Sequence, residues 1–202
     1  MASNTNHTPH PFALGLACIA LLSACQNEDD IIRAARFDDL NKLRDCVESG
    51  IQVDHADPAG ETALFHIVGM GSEEGFQLLL DHGADVQLRD GSGNTVLHKA
   101  ITFEQDSLAL KLIDRGVDVS ATNKVGATAL HYAVRAGNQA MVELLLSKGA
   151  DIEVKDSAGS TPVEIAHAMS EKQNLSDTMG RKISSKQINR IVSALTKVTT
   201  NK

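Results

Sequence analysis

Gly126-Ala127-Thr128-Ala129-Leu130-His131-Tyr132-Ala133 decides the fold, because its glycine and threonine recur at a fixed interval. Gly60, Gly93, Gly126 and Gly159 are 33 residues apart, and so are Thr62, Thr95, Thr128 and Thr161. A third column, Gly50, Gly83, Gly116 and Gly149, keeps the same interval. Three independent columns in one register make the chain an array of equivalent units.

Each column has a physical job. Asp57, Asp90, Asn123 and Asp156 stand three residues before the first glycine column. Asp or Asn at the start and Gly at the end predict a type I turn. The Thr two residues on can cap a helix N-terminus. In the last unit Pro162 follows it, at the first helical position where Pro is tolerated. Apolar residues then recur at helical spacing (Leu97, Ala100 and Ile101; Leu130, Ala133 and Val134). A second helix ends in Leu78-Leu79-Leu80 or Leu144-Leu145-Leu146, and the closing glycine supplies a left-handed residue after it.

These features resemble the ankyrin repeat. Thr128-Ala129-Leu130-His131-Tyr132-Ala133 is similar to the family's Thr-Pro-Leu-His-x-Ala box, and Val142 to Asp151 resembles its second helix and exit. The resemblance implies an all-α solenoid of about five helix-turn-helix repeats with β-turn fingers, caps included. Full repeats are expected over 57–89, 90–122 and 123–155, with an N-terminal cap over 31–56 and a C-terminal cap over 156–202. Ser170 to Ser184 is polar and loop-like, and a last helix is expected from Ser185 to Lys197. The pattern is broken at Phe65, where the family has His, and at Glu104, where it has Gly.

Composition narrows the function. With 19 Lys+Arg against 26 Asp+Glu, the formal charge is −7, which argues against a nucleic-acid binder. Five Phe, one Tyr and no Trp leave little for base stacking. His98 and His131 are the obvious candidates for chemistry. The resemblance makes them scaffold residues, bonded between turn and helix. At one repeat apart, about 8–10 Å, they could not share a zinc ion whose ligands sit at about 2 Å. His66 and His82 are expected to be single surface histidines. No catalytic, metal or cofactor site is expected.

What remains is a surface for a protein partner. Three residues after the box Ala, at a site the family leaves variable, stand Phe37, Met70, Phe103 and Ala136; Arg36, Gly69, Thr102 and Arg135 precede them. Stacked, the three large residues either form an apolar ridge about 20 Å long or fold under and pack between helices. Arg36 and Arg135 would flank the ridge. Arg89, Ser92, Lys124 and Val125 at the turn tips are further partner candidates, and Tyr132 is expected to pack between repeats.

The compartment turns on Leu22-Ser23-Ala24-Cys25. Phe12 to Leu22 is an apolar run too short for a membrane span but of signal-peptide length. The four residues after it resemble the lipobox of bacterial lipoproteins. The segment before the run has no Lys or Arg, only His7, His10 and the amino terminus. The resemblance implies a signal peptide over 1–24, lipidation of Cys25 and a short linker over 25–30. Cys18 would leave with the signal, and Cys46 would stay as a helix thiol without a disulfide partner. Gln26 after the cysteine implies the periplasmic face of the outer membrane.

Small ankyrin lipoproteins there resemble immunity proteins against secreted antibacterial effectors, which implies a protein partner such as a phospholipase. The open alternatives are a periplasmic scaffold or stress-protection factor for an endogenous enzyme, and a cytosolic ankyrin adaptor.

Overall fold

The computed structural model describes Cys25 and residues 27–172, 176–177 and 180–200. The expected signal over 1–24 lies outside the described residues. Among the described residues ten helices run α1 (Asp29–Arg36), α2 (Leu40–Glu48), α3 (Ala63–Met70), α4 (Glu73–Asp81), α5 (Val96–Thr102), α6 (Asp106–Asp114), α7 (Ala129–Arg135), α8 (Gln139–Ser147), α9 (Pro162–Ser170) and α10 (Ser185–Thr200).

The turns form as the glycine columns predict. The amide of Gly60 donates to the carbonyl of Asp57 at 2.8 Å, and Gly93, Gly126 and Gly159 repeat the bond to Asp90, Asn123 and Asp156. In each turn the leading side chain accepts two further amides. Asp90 Oδ1, for instance, takes those of Ser92 and Asn94, both at 2.8 Å. Successive fingers are laced by backbone bonds from Gly91 to Ala59, Lys124 to Ser92 and Ser157 to Val125. Gly91 permits this approach, since a Cβ there would lie 2.6 Å from the Ala59 carbonyl oxygen.

The first helices stack as α1, α3, α5, α7 and α9. Each repeat buries its apolar stripe against its neighbours, which is how a solenoid makes a core no single repeat could. Leu64, Leu97, Leu130, Leu79, Leu112 and Leu145 are all essentially inaccessible. At the far end α10 packs on both α8 and α9. It buries Ile188, Ile191 and Leu195 at helical spacing and so closes the stack.

Three features differ from the sequence-based expectation. First, Cys46 is not alone. A disulfide joins it to Cys25, with the two Cα atoms 4.9 Å apart, because α2 turns its thiol toward the incoming chain.

Second, the polar stretch before α10 contains another finger. The Ser176 and Lys182 backbones bridge, the Gly180 amide donates to the Asp177 carbonyl, and Asp177 Oδ1 accepts the Arg181 amide at 2.7 Å.

Third, Glu104 keeps the backbone of the glycine it replaces. Its φ is +56°, against +76° at Gly71 and +67° at Gly137. A side chain there costs about 1 kcal/mol, and its carboxylate is held by Arg181 of the extra finger.

Candidate partner-binding surface

The box residues lie at the base of the surface. Thr95 donates its amide (3.2 Å) to Nδ1 of His98, whose Nδ1 also lies 2.9 Å from the Thr95 hydroxyl. Nδ1 is therefore an acceptor, so the proton sits on Nε2, which donates to the Ala127 carbonyl of the next repeat at 3.1 Å. His131 repeats the arrangement with Thr128 and the Ser160 carbonyl. Burial pushes both imidazoles below their ordinary value, against the pull of those carbonyls. Each is a neutral strut between repeats.

Tyr132 seals the same seam. Its ring meets His98 edge-on at 5.4 Å, and its hydroxyl lies between Asn94 and Asn123.

His66 is not the isolated surface histidine expected from the sequence. Its Nε2 lies 3.1 Å from Asp57 Oδ2, its other nitrogen faces Glu61, and the side chain is 11% exposed. The one-residue offset from Phe65 turns it toward the finger instead of into the box. Asp57, Glu61 and His66 together could offer a cation three ligand atoms. Two side-chain cations already occupy the carboxylates: Arg36 on Asp57 at 3.0 Å and Lys99 on Glu61 at 2.5 Å. Burial works to raise the Asp57 pKa, but the amides of Glu61 and Ala59 with His66 outweigh it and hold the carboxyl below its usual range.

The ridge is exposed. Phe37 is 74% accessible, Met70 55% and Phe103 38%, so none of them packs between the helices. The Lys99 ammonium sits 5.0 Å from the centroid of the Phe103 ring, a cation–π contact that fixes the ring's place. Next to Phe103 two hollows share Thr102 and Tyr132. One, of about 220 Å³, reaches back to Glu61 and Asp90; the other, of about 350 Å³, is walled by Val125, Ala127, Ala136 and Ala158. Arg135 closes that second hollow and pairs with Asp156 at 2.6 Å. The Ser160 amide, then the Ala158 amide and Arg135, keep the Asp156 carboxyl low against the effect of burial.

At the turn tips Arg89 and Lys124 tie fingers together. Arg89 reaches the Thr122 carbonyl at 2.6 Å and Lys124 the Gly91 carbonyl at 2.7 Å. Ser92 and Val125 stay exposed.

Two features were missed in the sequence. The ion chain around His66 ends on Arg36 and Lys99, 21 and 38 positions from the carboxylates they hold, which no local pattern marks. The extra finger did leave a trace: Asp177 stands three residues before Gly180, as in every other turn, but off the period.

The stack defines a helix-turn-helix repeat solenoid with an open, finger-lined face. A family model described as ankyrin repeats (3 copies) matches residues 21–123, more than half of the chain. A second, described as ankyrin repeats (many copies), matches residues 112–166. The chain belongs to the ankyrin-repeat family, and such repeats form protein–protein interaction modules. A comparison with curated proteins returned no match.

Proposed function

We propose that the chain binds a protein partner on the Phe37–Met70–Phe103 ridge and the two hollows beside it. The observation that carries this is the row itself: three large apolar side chains, one per repeat, all accessible. Binding hot spots favour such apolar anchors within a polar rim. Affinity capture from a periplasmic extract identifies the partner, and each ridge variant is then titrated against it. Phe103→Ser should weaken binding by about thirtyfold while the protein stays folded. Unchanged affinity in a folded Phe103→Ser variant sinks the ridge and moves the site to Ser92 and Val125.

The finer reading is a lipid-anchored periplasmic protein that blocks a secreted effector such as a phospholipase. Leu22-Ser23-Ala24-Cys25 supports the anchor, and the short linker would hold the stack close to the membrane surface. Rescue of cells from a co-expressed lipase encoded beside this chain tests it; absence of such a neighbour favours a scaffold for an endogenous enzyme.

The Cys25 sulfur has two exclusive fates, a thioether to lipid or the bond to Cys46. Disulfides persist in oxidising compartments, so both fates support export. Intact mass with thiol trapping separates them. A lipidated chain carries added acyl mass and a trappable Cys46, and a disulfide-closed chain traps neither Cys25 nor Cys46 until reduced. A chain still beginning at Met1 with Cys18, Cys25 and Cys46 all free would leave the cytosolic adaptor standing.

A further inference from the structure

The last helix carries a charge that the repeats do not. Residues 171–202 hold seven Lys or Arg and two Asp or Glu, whereas residues 1–170 hold 12 and 24. None of the 16 residues of α10 is acidic. Lys186, Arg190, Ser193 and Lys197 stand at i, i+4, i+7 and i+11, so they form one stripe about 16 Å long. All four are exposed. The stripe lies opposite Ile188, Ile191 and Leu195, which the stack buries.

The cations of this end are also free of internal partners. Seven cations in the repeats, from Arg33 to Lys148, are held in ion pairs. Lys182, Lys186 and Arg190 make none among the described residues. Lys182, on the extra finger, lines the same hollow of about 610 Å³ as Arg190. The carboxylates in that hollow are already bonded, Glu104 and Asp177 by Arg181 and Glu143 by the Gln139 amide. A basic helix face with no acid in it calls for an anionic surface.

Two observations select the kind of surface. Among the described residues the exposed large apolar side chains are Phe37, Met70, Phe103, Leu110 and Val125, all off α10. A folded protein would find charge here but no anchor of the kind that binding hot spots use. Nucleic acid would find no ring to stack on, since residues 171–202 contain no Phe, Tyr or Trp. A sheet of anionic headgroups needs neither, and it attracts Lys and Arg held near it. The same sheet repels the acidic repeats, so it turns the C-terminal end toward itself.

We propose that the outer face of α10 adsorbs on an anionic phospholipid surface through Lys182, Lys186, Arg190 and Lys197. The contact is electrostatic, because the apolar face of the helix is packed on α8 and α9 and cannot enter the bilayer. It depends on neither the ridge nor a lipid on Cys25.

The disulfide-closed chain, which carries no acyl group, is sedimented with vesicles of phosphatidylglycerol and phosphatidylcholine, and with vesicles of phosphatidylcholine alone. Binding to the anionic vesicles should be at least about tenfold tighter and should be lost at about 0.5 M NaCl. Each cation near the surface contributes about fivefold, so Lys186→Gln/Arg190→Gln should weaken that binding at least about tenfold. Arg190→Gln alone, with a loss of about fivefold, replaces the double variant if it does not fold. Arg115→Gln/Lys155→Gln removes the same charge from exposed positions of the repeats and should leave binding nearly unchanged. Equal losses in the two double variants would make net charge the cause, and the proposal would fail. It would fail equally if both kinds of vesicle bound alike. Tighter binding to polyglutamate or single-stranded DNA than to the vesicles, lost in Lys186→Gln/Arg190→Gln, would give the stripe to an acidic protein or a nucleic acid and overturn it.

Discussion

The repeat that opens at Thr62 and the two that open at Thr95 and Thr128 share one backbone but hold to their successors by different chemistry. At Thr95 and Thr128 a buried imidazole accepts from the threonine and donates across the seam. At Thr62 that place is taken by Phe65, fully buried, and Thr62 Oγ1 is buried without a partner among the described residues. The seam there gains instead a surface chain, Arg36–Asp57–His66–Glu61–Lys99, that links three repeats. The fourth box, at Thr161, uses Glu164, which accepts the Thr161 amide at 2.8 Å while its own amide donates to the Thr161 hydroxyl at 3.2 Å. The backbone requires a filled volume and some closure of each seam, and it accepts an imidazole or an ion chain for the second task, while the Glu164 carboxylate closes its own box.

The largest effects should come from emptying the box. Phe65→Ala leaves a cavity and should cost about 3–5 kcal/mol. His98→Ala removes less volume but strands the Ala127 carbonyl, for about 2–4 kcal/mol. Urea midpoints for the two variants give the ranking; a His98→Ala loss larger than that of Phe65→Ala would mean the strut outweighs the filled volume.

A pair of matched substitutions then separates the two kinds of box by sign. Thr95→Val breaks the contact with His98 and should destabilise by about 0.5–1.5 kcal/mol. Thr62→Val removes a hydroxyl that has no partner and should stabilise by about 1 kcal/mol. Equal destabilisation in the two would show that the Thr62 hydroxyl is satisfied in solution.

The imidazole struts also make part of the stability depend on pH. His98 and His131 are lowered in the folded chain from a reference of 6.5, mainly by burial. Below about 6.5 the unfolded chain binds protons that the folded chain refuses, so stability is whole above that pH and falls beneath it. Each histidine can take away at most about 1.4 kcal/mol per pH unit. Denaturation at pH ~7.5 and ~5.5 should show this loss, and it should shrink in His98→Gln/His131→Gln. A pH profile unchanged by that double variant would place the dependence elsewhere.

The fold was legible because it is periodic. Asp or Asn, Gly, Thr and Leu recur every 33 residues, and each has a local task that needs no distant partner. The ridge was legible for the same reason, as Phe37, Met70 and Phe103 occupy one column, although exposure was left for the structure to decide. What the sequence withheld is what breaks period. His66 sits one place off the box, so its column predicts nothing for it. Asp177 and Gly180 repeat the turn pattern outside the register. Cys25 and Cys46 meet because α2 folds back on the chain entering α1, a contact that spacing alone does not fix.

The smallest effect expected concerns the ion chain itself. Lys99 and Glu61 are 19% and 18% exposed, so their pair is only partly screened, whereas Arg36 is 55% exposed and contributes less. Lys99→Met keeps an unbranched apolar side chain and deletes the charge. It should cost about 1 kcal/mol at low salt, because Glu61 loses its cation beside a half-buried histidine. At ~1 M NaCl, where the screening length is about 3 Å, the cost should shrink. Thr95→Val, acting on a buried contact between uncharged groups, should cost the same at both salt concentrations. If Lys99→Met loses equal stability in both salts, the ammonium's close contact with the Phe103 ring carries the contribution and the screened pair with Glu61 does not. The Thr62 repeat would then be held by its buried Phe65 and its laced fingers alone.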